Sequence, residues 1–95
     1  MNNVEKSRVI KMLAGRDVWD QLNQLQEECA ELIVAINHHR RAKKSDTMAN
    51  LVEEIADVSI MLEQAIIFLD AASKVDNVKA QKLTRANERI KDGRL

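Results

Sequence analysis

The sequence predicts an all-α fold: a four-helix-type bundle with a short N-terminal helix, two long antiparallel helices and a polar C-terminal helix, assembled as an oligomer. Three observations carry that reading. The 95 residues include no Pro, no Tyr, one Phe, one Trp and two Gly, whereas strands and tight hairpins draw on β-branched and aromatic residues with Gly or Asn at the turns. Strong helix formers, namely Ala, Leu, Glu, Lys, Gln and Arg, dominate instead. Apolar residues recur at steps of three and four, and capping or stop residues fall between the periodic segments.

The first predicted helix covers 4–14, with Val4, Val9, Ile10 and Leu13 apolar and Gly15 ending it. The second opens near Asp17 and runs to about Ala42, with a stripe of Val18, Leu22, Leu25, Cys29, Leu32 and Ile36. Its last turns hold His38, His39, Arg40 and Arg41, followed by Lys43 and Lys44, and cations suit the negative end of a helix dipole. Ser45, Asp46 and Thr47 are candidate caps for the third helix, expected over 47–71 with Leu51, Ile55, Val58, Leu62, Ala65 and Leu69 as its stripe. Ser73 is a candidate cap for the fourth, mostly polar helix, which Gly93 stops near Asp92. Ile33, Val34, Ile60, Ile67 and Phe68 lie off the main stripes. A second apolar face on a helix usually needs another chain to cover it, so a homo-oligomer is expected.

Length suggests one domain over 1–95. Fifteen acidic residues balance fifteen basic ones, so no net basic field points to nucleic acid or to a membrane surface. No apolar run approaches the roughly 20 residues of a membrane span, and MNNVEKSRVI lacks the apolar stretch of a signal peptide. The lone Cys29 forms no intrachain disulfide and no metal motif. The expected location is the cytoplasm.

The strongest chemical signal is an internal echo. Residues 25–32 read LQEECAEL and residues 51–58 read LVEEIADV, identical at four of eight positions. At about 100° per residue, Glu28 falls about 60° and Glu31 about 120° to one side of Leu25, and Glu54 and Asp57 fall at the same angles from Leu51. Each helix thus carries a carboxylate pair beside its apolar stripe, and antiparallel packing through the stripes lets the pairs converge. Four converging carboxylates repel unless a divalent cation neutralises them. An all-oxygen set without Cys or paired His favours Mg²⁺ or Mn²⁺ over Zn²⁺. Such an ion binds phosphates and acidifies a water for attack on phosphorus. Glutamates on helices are more commonly plain solvated groups, and the doubling is what sets these apart.

At Glu28-Cys29-Ala30-Glu31 and Glu54-Ile55-Ala56-Asp57, 22 residues apart, the sequence resembles the MazG-like all-α nucleoside triphosphate pyrophosphohydrolase superfamily. The strings EECAELIVAI and NLVEEIADVSIML look like its short single-domain phage and bacterial members, and the likeness runs over about 18–70. The resemblance implies Mg²⁺-dependent hydrolysis of (deoxy)nucleoside triphosphates to monophosphate and pyrophosphate, in nucleotide-pool control or house-cleaning. It implies homo-dimers or homo-tetramers with shared active sites, and Glu28, Glu31, Glu54 and Asp57 as metal ligands. Glu27 and Glu53 point further toward solvent and are candidates for the base that activates water, with solubility as their ordinary role.

Two basic groups are candidates for the phosphates: His38 to Lys44, with Arg40, and the stripe Lys82, Arg85 and Arg89, which resembles a basic segment of the family. Either group also makes sense as a solvated face. Trp19 lies nine residues before Glu28, about 14 Å along a helix, and could stack on a base or pack against protein. Gln21 and Gln24, on the carboxylate side, and Asn50, the echo of Gln24, could read a base edge. The alternative function is a non-catalytic helical oligomer that binds nucleotides or a protein partner.

Overall fold

The computed structural model describes residues 2–93, and these form four helices in the order α1 (Asn3–Leu13), α2 (Val18–Ala42), α3 (Ser45–Phe68) and α4 (Ala72–Lys91). No strand occurs among the described residues. None of the described helices is long and apolar enough to cross a membrane.

Local chemistry explains the boundaries. Asn2 caps α1, its Oδ1 accepting from the Glu5 backbone N–H at 2.8 Å while Glu5 reaches back to the Asn2 N–H, a reciprocal capping box. Gly15 then takes φ 78°, a left-handed conformation that a residue without Cβ adopts freely. Asp17 caps α2 through the Trp19 N–H at 2.8 Å. At the other end, Lys43 turns left-handed at φ 50° and its N–H donates to the His39 carbonyl at 2.8 Å. Only Lys43 and Lys44 separate α2 from α3. Thr47 Oγ1 accepts the Lys44 N–H at 3.1 Å and sits 3.0 Å from His39 Nδ1, fastening the two sides of the turn. The third helix thus starts two residues before the expected position 47. It stops at Phe68, short of 71, because Asp70 adopts φ 48°. The fourth starts after Ala71 with no side-chain cap, so Ser73 is not its cap.

The short turn makes α2 and α3 an antiparallel hairpin, the most extensive packing in the chain. Helix α1 lies on α3 and buries Val9 and Leu13. The first turns of α4 touch α3, and among the described residues α4 does not meet α2.

The hairpin is rotated relative to the expected stripes. Its buried positions are Gln21 and Ala35 on α2, and Val58, Met61, Gln64 and Ala65 on α3. Ile36, Ile55, Leu62 and Leu69, all assigned to stripes, are exposed. On a helical wheel, Gln21, Glu28 and Ala35 lie on one line seven residues apart, and Glu54, Met61 and Phe68 lie on another. These lines sit about 60° from the Leu25 and Leu51 directions, toward the acids. The two helices therefore meet along the acid side of their apolar stripes.

At the buried end of the seam, Gln21 is 0 % and Gln64 1 % exposed. Gln21 Nε2 donates to Gln64 Oε1 and lies 3.7 Å from Met61 Sδ. The pair satisfies one amide contact across the seam and leaves Gln21 Oε1 buried without a partner; a slip in register would lose that contact as well.

Candidate metal centre

The rotation of the hairpin places Glu28 and Glu54 on the seam itself. Both are half-buried, and Oε2 of each is shut off from solvent with no hydrogen-bond partner. Asp57, one turn beyond Glu54 on the same helix, is exposed at the edge. Glu28, Glu54 and Asp57 each present a carboxylate oxygen, and these three atoms lie within 4.8 Å of one another.

Electrostatics marks the same place. The Glu28 carboxyl is held above its ordinary 4.5, first by burial and then by the negative charges of Glu31, Asp57 and Glu54. The Glu54 carboxyl is raised first by burial, then by Glu31, Asp57 and Glu53. Glu31 lies within hydrogen-bonding reach of both, and a proton shared with it favours their neutral forms. The four echo carboxylates thus come together, with Glu28, Glu54 and Asp57 as the tight triple and Glu31 bridging two of its members.

The donor set fits a hard divalent cation. All its atoms are carboxylate oxygens, and two orphaned buried oxygens are acceptors that lack donors. Ligands on opposite sides of Mg²⁺ are about 4.2 Å apart, twice the Mg–O distance. Adjacent ligands of the same octahedron are about 3.0 Å apart, so three oxygens within 4.8 Å of one another would draw closer around a bound ion. Glu28, Glu54 and Asp57, with Glu31 beside them, could hold such an ion.

A groove of about 320 Å³ runs alongside, lined by Ala30, Glu31, Val34, Ala35 and His38 of α2 and by Asn50 and Glu54 of α3. That is at the lower end of small-molecule sites. Its chemistry is graded: acids at one end, an apolar floor, and the imidazole and amide of His38 and Asn50. Asn50, a candidate for base contact, is therefore beside the carboxylates.

The other candidates are dispersed. Glu27 and Glu53 are exposed, and Glu53 acts on the cluster through its charge on Glu54. Trp19 is 73 % exposed and lines a groove of about 510 Å³ with Leu22, Asn23, Leu25 and Gln26 of its own helix. Gln21 is buried in the amide pair, so its side chain faces the core. Gln24 is half-buried and accepts from Arg16 Nη2 at 3.0 Å. Arg40 is exposed near the end of α2. Lys82, Arg85 and Arg89 are exposed on α4, the helix that does not reach α2 among the described residues.

Gln64 had no place among the sequence candidates. Its signal is spacing: it stands seven residues after Asp57, as Gln21 stands seven before Glu28. No known protein family, curated protein or solved structure matches the chain.

Proposed function

We propose that this chain is a Mg²⁺-dependent pyrophosphohydrolase of (deoxy)nucleoside triphosphates, with its centre at Glu28, Glu31, Glu54 and Asp57, working in a cytoplasmic nucleotide pool. The observation that carries the reading is the pair of buried, partnerless carboxylate oxygens at matching positions of two echoing helices, with Asp57 closing the set. Burying acids this way costs free energy unless a cation compensates. The MazG-like signature on these same residues supplies the reaction class.

A divalent ion bound there would supply Lewis acidity toward phosphate oxygens and acidify a water. The chain's own residues do the rest. Glu28, Glu54 and Asp57 fix position from two helices, which are rigid supports. Glu31 stands beside both raised carboxyls and completes the acid set. His38 and Asn50 offer donors to an anionic or amide-bearing ligand lying in the groove, with Val34 and Ala35 as its apolar lining. Water adds across the α–β phosphoanhydride bond, its oxygen bonding to phosphorus as the bridging P–O bond breaks, and monophosphate and pyrophosphate leave.

The test is turnover. Incubated with Mg²⁺ and a panel of canonical and modified triphosphates, the protein is expected to yield monophosphate and pyrophosphate from at least one. A folded protein that turns over none of them overturns the proposal. A second reading, a non-catalytic helical oligomer, is favoured by the apolar residues left exposed on α3. It predicts no turnover and little response of Tm to Mg²⁺.

A further inference from the structure

The balance of fifteen acids and fifteen bases conceals a segregation along the chain. Residues 1–71 hold twelve acids and eight bases, a net charge of −4. Helix α4 holds six bases and two acids, a net charge of +4. On the helical wheel five of those bases, Lys74, Lys79, Lys82, Arg85 and Arg89, fall within an arc of about 140°, and Asp76 and Glu88 lie outside it. All five are exposed, and among the described residues none engages in a hydrogen bond or an ion pair. Like charges three and four residues apart on a helix repel, so an anionic partner stabilises such a face.

The carboxylate centre of the same chain is not that partner. Helix α4 leaves α3 along Leu62, Ile66 and Leu69, which line the groove between the two helices. That flank is about 150° around α3 from Asp57. Beyond its first turns α4 stands clear of the other described helices.

We infer that α4 docks on the phosphate backbone of a double-stranded nucleic acid, through charge and without reading sequence. The charges are complementary in density. A duplex carries one negative charge per about 1.7 Å of its axis, and the five cations span about 22 Å of helix, so each can meet a phosphate. The dimensions match as well, since a helix with its side chains is about 10–12 Å across and the major groove is about 12 Å wide. Small Val75 and Val78 lie between Lys74, Lys79 and Lys82, so the phosphates can come close to the helix. The amides Asn77, Gln81 and Asn87 fall outside the cation arc, which leaves a face made for phosphate contacts.

Two features argue against other anionic partners. Proteins that grip single strands stack the bases on aromatic rings, and α4 contains no aromatic residue. A helix lying in a lipid surface sets large apolar side chains opposite its cations, and opposite these cations stand Ser73, Thr84 and Asn87. The inference is independent of the proposed activity, because it uses no residue of the carboxylate centre and its readout is binding.

Fluorescence anisotropy of a labelled, mixed-sequence DNA duplex, titrated with the full chain in buffer free of divalent cations, tests it. With five phosphate contacts, the logarithm of the affinity is expected to fall against that of the salt concentration with a slope of about −4.5, a loss of roughly 500-fold between 50 and 200 mM. Lys82→Gln, Arg85→Gln and Arg89→Gln together are expected to reduce the slope to about −1.8, with unchanged helix content by circular dichroism. Each substitution alone is expected to reduce it by about 0.9, which keeps the test decisive should the triple variant fail to fold. Lys6→Gln, Arg8→Gln and Lys11→Gln, which remove the same charge from α1, are expected to leave the slope as it was. Absence of duplex binding at low salt overturns the inference, as does an equal loss of slope in the α1 variant. Tighter binding to a single strand than to the duplex, or to one duplex sequence over another, also overturns it. Binding to phosphatidylserine vesicles without binding to the duplex overturns it in favour of a lipid surface.

Discussion

The two flanks of α3 make opposite demands on the surroundings. One carries Glu54 and Asp57 toward Glu28 and Glu31, and its cost is charge: raised carboxyls and buried oxygens without donors. The other carries an apolar stripe from Met48 to Leu69, and its cost is apolar surface left in water. A cation relieves the first and does nothing for the second. A second hydrophobic surface relieves the second and makes the first no better. One helix can therefore specify both an ion and a partner, provided the two sets stand on opposite sides of its axis.

Perturbing one flank at a time separates them. The largest effect is expected from Glu54→Gln, which keeps the side-chain shape and removes a charge from the centre. Turnover is expected to fall by at least about 100-fold, the upper end of what loss of a supporting group costs a metal site, while light scattering reports an unchanged assembly. The next is metal dependence. At a hundred times its Kd, Mg²⁺ stabilises the folded state by about 2.7 kcal/mol, an increase in Tm of about 10 °C or more for a domain of this size. That rise is expected to vanish in Glu54→Gln and to persist in Ile55→Glu.

Dilution addresses the apolar flank. The Tm of the unmodified chain is expected to climb with protein concentration, by mass action, and Ile55→Glu is expected to remove that dependence. The smallest effect is that of pH. Glu28 and Glu54 hold protons more tightly when folded than their ordinary 4.5, so the native state binds more protons than the unfolded state between 4.5 and the raised values. Stability therefore falls as pH rises through that window. Metal-free protein is expected to melt higher at pH 5 than at pH 7 in a thermal scan, and Glu28→Gln to flatten the difference.

Much of the fold was readable in the residues. The four helices, the opening of α2 near Asp17 and the Gly15 stop follow from local chemistry, and local chemistry does not depend on what packs where. The echo also named carboxylates that the hairpin does bring near one another, because equal angles on two antiparallel helices are a matter of helix geometry alone. The rotation of the hairpin was not readable. Apolar periodicity assigns Ile55, Leu62 and Leu69 to the core and leaves Gln21, Glu28, Glu54 and Gln64 outside. What buries these polar groups is the matching polar line on the opposite helix, a pairing that no single helix reveals. The same limit explains Gln21: its direction, toward the acids, was legible, but its role as half of a buried amide pair required Gln64.

The turn at Lys43 and Lys44 has a consequence in time. It joins α2 directly to α3 and is fastened by His39 and Thr47. Every group of the carboxylate centre lies on that one hairpin, so its assembly needs only the closure of a short loop. Such local pairings form quickly, whereas docking with another molecule waits on encounter. A nascent chain would thus bring its four carboxylates together before α4 settles, and the order of events in folding starts from the charged flank.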